Sequence, residues 1–64
     1  MAKITLKAAR VNAGLSQEMA AKTLGISRST LQNWEKGETF PKQPHILAMC
    51  ELYNVSFDAL FFGK

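Results

Sequence analysis

Apolar residues recur along this chain at helical spacing, and caps, glycines and prolines cut the pattern into short pieces. From Ile4 to Ala13, Leu6, Ala9, Arg10 and Ala13 share one face, because side chains three and four apart meet on a helix. Gly14 can end that piece as a left-handed cap. Ser16 is a good N-cap for the next piece, with Glu18 in the first turn, where the helix dipole favours negative charge. Ala20, Ala21 and Leu24 make its apolar face, and Gly25 stops it. Ser27 caps a third piece, Ser27 to Lys36, whose apolar positions are Leu31 and Trp34 and whose end is Gly37. A fourth starts near Pro44, a residue preorganised for a first helical turn. Its stripe is Ile46, Met49, Cys50 and Tyr53, and Asn54, which tolerates the left-handed conformation, closes it. Ser56 can cap a last short helix, with Asp58 in its first turn and Leu60 facing inward, before a final break at Gly63. No alternating strand pattern is present. The pattern predicts an all-α bundle of five short helices in one domain, residues 1–64.

Composition narrows the function. The 64 residues leave no room for two cores, and 47% hydrophobic residues are enough to pack one. No apolar run reaches the roughly 18 residues of a membrane span, and no apolar stretch follows Lys3 as it would in a leader peptide. Eight Lys and Arg against five Asp and Glu give a net charge of +3, a mild bias towards an anionic partner. The lone Cys50 cannot form an internal disulfide, which fits a reducing cytoplasm. It lies on the apolar stripe and reads as a small core residue. His45, the one histidine, is five residues away, about 140° round the helix, so the two make no catalytic pair. With no clustered carboxylates either, no metal site, cofactor or enzyme is expected. His45 reads as a solvated residue near a helix start.

The stretch Gln17 to Trp34 carries the chemistry. Gly25 stands two residues before the cap Ser27, so the second and third helices must cross steeply and closely. That needs a small residue, Ala21, and one free to take positive φ, Gly25. Ile26, Leu31 and Trp34 then pack the third helix inward, which makes Trp34 core rather than a stacking platform for single strands. The outer face is Arg28, Ser29, Gln32, Asn33 and Lys36, polar and basic, with no acid. A short exposed helix of this kind is what a major groove admits.

At these residues the chain resembles the helix-turn-helix domain of Cro and phage-repressor regulators, the XRE-like family. The likeness runs over about residues 4 to 62, through the strings LSQEMAAKTLGIS, SRSTLQNWEKGETFP and LAMCELYNVSFDAL. It implies a lambda-repressor-like fold and sequence-specific binding of duplex DNA by a bacterial or phage transcriptional regulator. It further implies a repressor acting as a homodimer, formed on DNA if not before, on a near-palindromic operator. Arg28, Ser29 and Asn33 match base-reading positions, with Gln32 a lesser one. Gln17, Ser27, Lys36 and Thr39 match positions near phosphates, Gln17 also bracing the next helix. Arg10 and Glu35 match a structural charged pair between the first and third helices. The chain departs from the family where Ala20 replaces the usual Leu, leaving Met19 or Trp34 to fill the space. Cys50 replaces Ala, Asn54 replaces Gly, and Glu38 stands where a base is common, a charge unfavourable beside phosphate.

Two other functions share this fold. A DNA-binding antitoxin would add a separate toxin-binding tail, which the chain does not show. A protein-interaction module that has lost DNA would carry acids on the outer face of the third helix, and none is there. Leu52, Phe57, Phe61 and Phe62 exceed what a domain this small must bury and form a candidate dimer surface.

Overall fold

A computed structural model describes residues 3–62, so Gly63 lies outside the described residues. Four α-helices build the domain: α1 (Leu6–Asn12), α2 (Gln17–Leu24), α3 (Arg28–Lys36) and α4 (Gln43–Tyr53). A two-residue strand β1 (Ile4–Thr5) pairs in parallel with β2 (Leu60–Phe61), Ile4 opposite Leu60 and Thr5 opposite Phe61.

Three helices start on a hydroxyl cap. Thr5, Ser16 and Ser27 each accept, at 3.1 Å, the backbone N–H three residues on. This satisfies a donor that has no partner within the helix. Every helix ends on one device. Gly14, Gly25, Gly37 and Asn54 have positive φ. The next residue then donates its N–H to a carbonyl five back: Leu15 to Arg10 at 3.2 Å, and Ile26 to Ala21, Glu38 to Asn33 and Val55 to Cys50 at 3.0 Å. Leu15, Ile26 and Val55 also pack on the core, so closing those helices and covering the core are one event. At Gly25 an added Cβ would meet nothing within 4 Å. The turn therefore selects glycine for its φ of 72°, not for space.

The core is Leu6, Ala9, Ala20, Ala21, Leu31, Trp34, Met49, Tyr53 and Leu60. Ala20 and Ala21 let α2 approach its neighbours closely. Met19 does not fill the room left by Ala20; it is 58% exposed. Ala13, expected on the buried face of the first helix, is exposed, because α1 ends one residue before it.

The expected count of five helices is corrected to four. Phe57–Ala59 is a single 3-10 turn, closed by Ala59 N–H on Ser56 O at 3.1 Å. Ser56 caps nothing with its side chain. Only three residues separate it from Leu60, which is extended to meet Ile4, so a second turn has no room. The strand pair claims Ile4 in the same way and moves the start of the first helix to Leu6, with Thr5 as cap. The bundle is thus mainly helical with one short parallel bridge joining the two ends of the described chain.

Tyr53 is 4% exposed, and its Oη has no hydrogen-bond partner among the described residues. Burial, and secondarily the Glu35 charge, push its phenol up to about 12, with Arg10 pulling the other way. The folded state therefore keeps a proton that the unfolded chain releases from about pH 10. Stability falls as pH rises from there through 12, by on the order of 2 kcal/mol. Tyr53→Phe removes both the titration and a buried hydroxyl without a partner. Denaturant melts should show the variant at least as stable as the parent at neutral pH and less sensitive to alkali. Equal alkaline slopes in the two proteins would contradict this.

Candidate nucleic-acid interface

The faces of α3 follow from about 100° per residue. Leu31 and Trp34 point into the core. Ser29, Asn33 and Lys36 lie opposite them, with Arg28 and Gln32 on the flank towards α2. Glu35 falls about 20° from Arg28 on the same flank, which corrects the expectation of a face without acid, although its side chain is buried against Arg10.

Glu35 is held from below. Arg10 Nε donates to its Oε2 at 2.8 Å and Arg10 Nη2 to its Oε1 at 3.4 Å. Arg10 Nη1 donates to Leu15 O at 2.7 Å, tying the pair to the turn after α1. Only 9% of the Arg10 side chain and 4% of that of Glu35 are exposed. Three of the five guanidinium N–H donors go to these bonds and the side chain is buried, so Arg10 is a structural cation.

Gln17, the first residue of α2, sits on top of this pair. Its Nε2 donates to Glu35 Oε1 at 3.1 Å. Its Oε1 accepts from Gln32 Nε2 at 3.2 Å and, more loosely, from Arg28 Nε at 3.4 Å. One hydrogen-bonded chain therefore runs from Arg10 in α1 through Glu35 and Gln17 to two side chains of α3. It divides the residues expected at DNA. Arg28 and Gln32 are tethered. Ser29 and Asn33 have no side-chain hydrogen bond among the described residues. Ser27 Oγ is occupied by its cap and by Thr30 Oγ1 at 2.8 Å. Lys36 is exposed in the last turn of α3 and Thr39 in the loop beyond, with its N–H 3.5 Å from Asn33 O. Sequence pattern alone did not identify Gln17 as the junction, because its partners are 11, 15 and 18 residues away.

His45 is corrected from a solvated residue to a half-buried one. Its ring centroid is 5.3 Å from that of Trp34 at a 50° tilt, so it packs the start of α4 onto α3. Cys50 is half-buried against the core, and burial pushes its thiol pKa up, away from nucleophilic use. Among the described residues no group of His, Cys, Asp or Glu could hold a metal, and no helix is long and apolar enough to cross a membrane.

Two capped helices joined by a glycine turn, the second presenting an exposed polar face, define a helix-turn-helix protein. The helix-turn-helix family model matches residues 6–60, and the chain belongs to that family. It is 42% identical over 59 residues to the HTH-type transcriptional regulator ImmR of Bacillus subtilis (strain 168), covering 92% of this chain and 46% of ImmR. It is 29% identical over 59 residues to the HTH-type transcriptional activator BcrR of Enterococcus faecalis, covering 92% of this chain and 29% of BcrR. A third relative, YgzD of Bacillus subtilis (strain 168), is described as an uncharacterized HTH-type transcriptional regulator. It is 30% identical over 60 residues, 94% of this chain and 91% of its own length. The chain thus spans under half the length of ImmR and BcrR. No solved structure matches it.

The buried pair generates a test. Glu35→Ala strands the Arg10 guanidinium in the interior, at a cost of about 3–5 kcal/mol. A core of this size supplies about that much in total. Circular dichroism at 25 °C should find Glu35→Ala largely unfolded. Replacing both partners, Arg10→Met with Glu35→Leu, should restore much of the helix signal. A Glu35→Ala protein that melts like the parent would remove the pair from the list of structural constraints.

Proposed function

We propose that this chain binds duplex DNA sequence-specifically as the DNA-binding domain of a transcriptional regulator, with α3 in the major groove. The observation that carries this is the fixed polar face of α3, held by the Arg10–Glu35–Gln17 chain and free of any unneutralised acid. Arg28 is the foremost base reader. Its bond to Gln17 uses Nε and leaves both terminal nitrogens for guanine O6 and N7. Asn33 has an amide suited to adenine N6 and N7, and Ser29 and Gln32 lie beside it. Lys36, Thr39 and the start of α2 at Gln17 take phosphates, Ser27 serving them through the cap that orients α3. The proposed sign of regulation is repression, although one relative, BcrR, is named an activator. The protein works where DNA is, in the cytoplasm. Nothing among the relatives favours the antitoxin alternative.

Sites selected from a random duplex pool supply the operator for the test. Arg28→Ala should lose about 1–3 kcal/mol on it and relax preference at one base pair per half-site. Non-specific binding should fall far less. If all duplexes weaken by one factor, Arg28 is a phosphate contact and base reading passes to Ser29 and Asn33.

The domain acts as a homodimer on a near-palindromic site. Phe57 and Phe61 are 51% and 44% exposed, beside Phe62, whose ring lies 6.2 Å from that of Phe57. Leu52 and Phe62 are half-buried and belong to the core's margin. A two-fold site read by two copies sets their α3 helices about one DNA turn apart, near 34 Å, the spacing general to phage repressors. Phe61→Lys should abolish cooperative binding to two half-sites and spare a single half-site. Equal losses on both would indicate a folding defect and not a dimer contact.

A further inference from the structure

We infer that the groove between α1 and α3 seats one DNA backbone phosphate, with Lys7 of α1 and Lys36 of α3 as its two cationic walls. The inference rests on the DNA-binding reading and extends the interface to a residue outside the helix-turn-helix. The groove is open, about 360 Å³, and lined by Lys7, Gln17, Gln32, Glu35 and Lys36.

Its floor has used its side-chain oxygens except Gln32 Oε1, which has no partner among the described residues. Glu35 Oε2 takes Arg10, Glu35 Oε1 takes Gln17 and Arg10, and Gln17 Oε1 takes Gln32 and Arg28. Of the floor amides, Gln17 and Gln32 each spend one N–H and keep one. Arg10 cancels the Glu35 charge at 2.8 Å. What the groove offers a ligand is therefore two exposed lysines, two amide N–H donors and one amide oxygen, Gln32 Oε1, so donors outnumber acceptors and the net charge is positive. That chemistry suits a compact anion. It does not suit a base edge, because ammonium groups on flexible stems act as point charges and lack the planar fork that reads bases. The groove adjoins the Arg28–Gln32 flank of α3, so a strand whose bases meet that helix brings its own phosphates past the groove.

The test uses a short duplex of mixed sequence and measures log K against log salt. Each phosphate neutralised contributes about 0.9 to the slope. Lys7→Gln should weaken binding several-fold, while Lys7→Arg, which keeps the charge, should bind like the parent. Lys22→Gln, a change at an exposed lysine in the last turn of α2 outside the groove, should have little effect. The double variant Lys7→Gln with Lys36→Gln should lower the slope by about 0.9, the value for one shared phosphate. A Lys7→Gln protein that binds like Lys22→Gln overturns the site. A slope loss near twice 0.9 in the double variant also overturns it, because the two lysines then serve separate phosphates. A parent protein with no salt-dependent binding sinks the DNA reading itself, and the site with it.

Discussion

Arg10 and Glu35 meet at 2.8 Å between α1 and α3, with little of either side chain in water. Charges so placed are expensive to desolvate, and a well-packed apolar pair could hold the helices together as firmly. What an apolar pair could not do is end in a carboxylate oxygen that receives Gln17 at 3.1 Å. The pair fixes the rotation of α3 about its own axis and fixes α2 against it. The second Arg10 anchor, on Leu15 O, carries the constraint into the turn that leads to α2. Three of the four helices are thus registered by one guanidinium. Tyr53 of α4 lies close enough for its phenol to feel both charges.

The helices were legible in the sequence because their signals are local. A hydroxyl three residues before the N–H it caps, and a glycine or asparagine where φ must be positive, are readable without knowing what lies across the core. Ser16, Gly25, Ser27, Gly37 and Asn54 fall where their chemistry puts them. The strand pair was not legible. Two residues have no alternation to detect, and Ile4 meets Leu60 across nearly the whole length of the chain. That long-range contact overrode two local signals. It drew Ile4 out of the first helix, and it left Ser56 and Asp58, a plausible helix start, with a single 3-10 turn before Leu60.

At the interface the pattern gave residue types and faces, and only packing gave their partners. The outer face of α3 follows from helical spacing. Its division into tethered and free side chains depends on Gln17, whose position over Glu35 is a product of how steeply α2 crosses α3. The same limit applies to His45. Its position near the start of a helix suggested exposure, but the ring lies against Trp34, because the loop after Gly37 returns α4 onto the back of α3. Packing of that kind follows from the path of the whole chain.

An acid only about 20° from Arg28, on a helix proposed to enter the major groove, ought to repel DNA. Here the charge is matched from beneath by Arg10, and one carboxylate oxygen is covered by the Gln17 amide, so the flank presents donors and not an anion. The arrangement also reduces what binding must order. A free arginine surrenders much of its rotamer freedom when it docks, on the order of 2 kcal/mol for the whole side chain. Arg28 is partly held through Nε before any ligand arrives, with its terminal nitrogens unspent. Ser29 is short and has little freedom to lose. In the proposed reading, part of the cost of ordering Arg28 is met within the folded domain: the arginine leans on a glutamine at 3.4 Å, the glutamine on a carboxylate, and the carboxylate on a buried arginine of another helix.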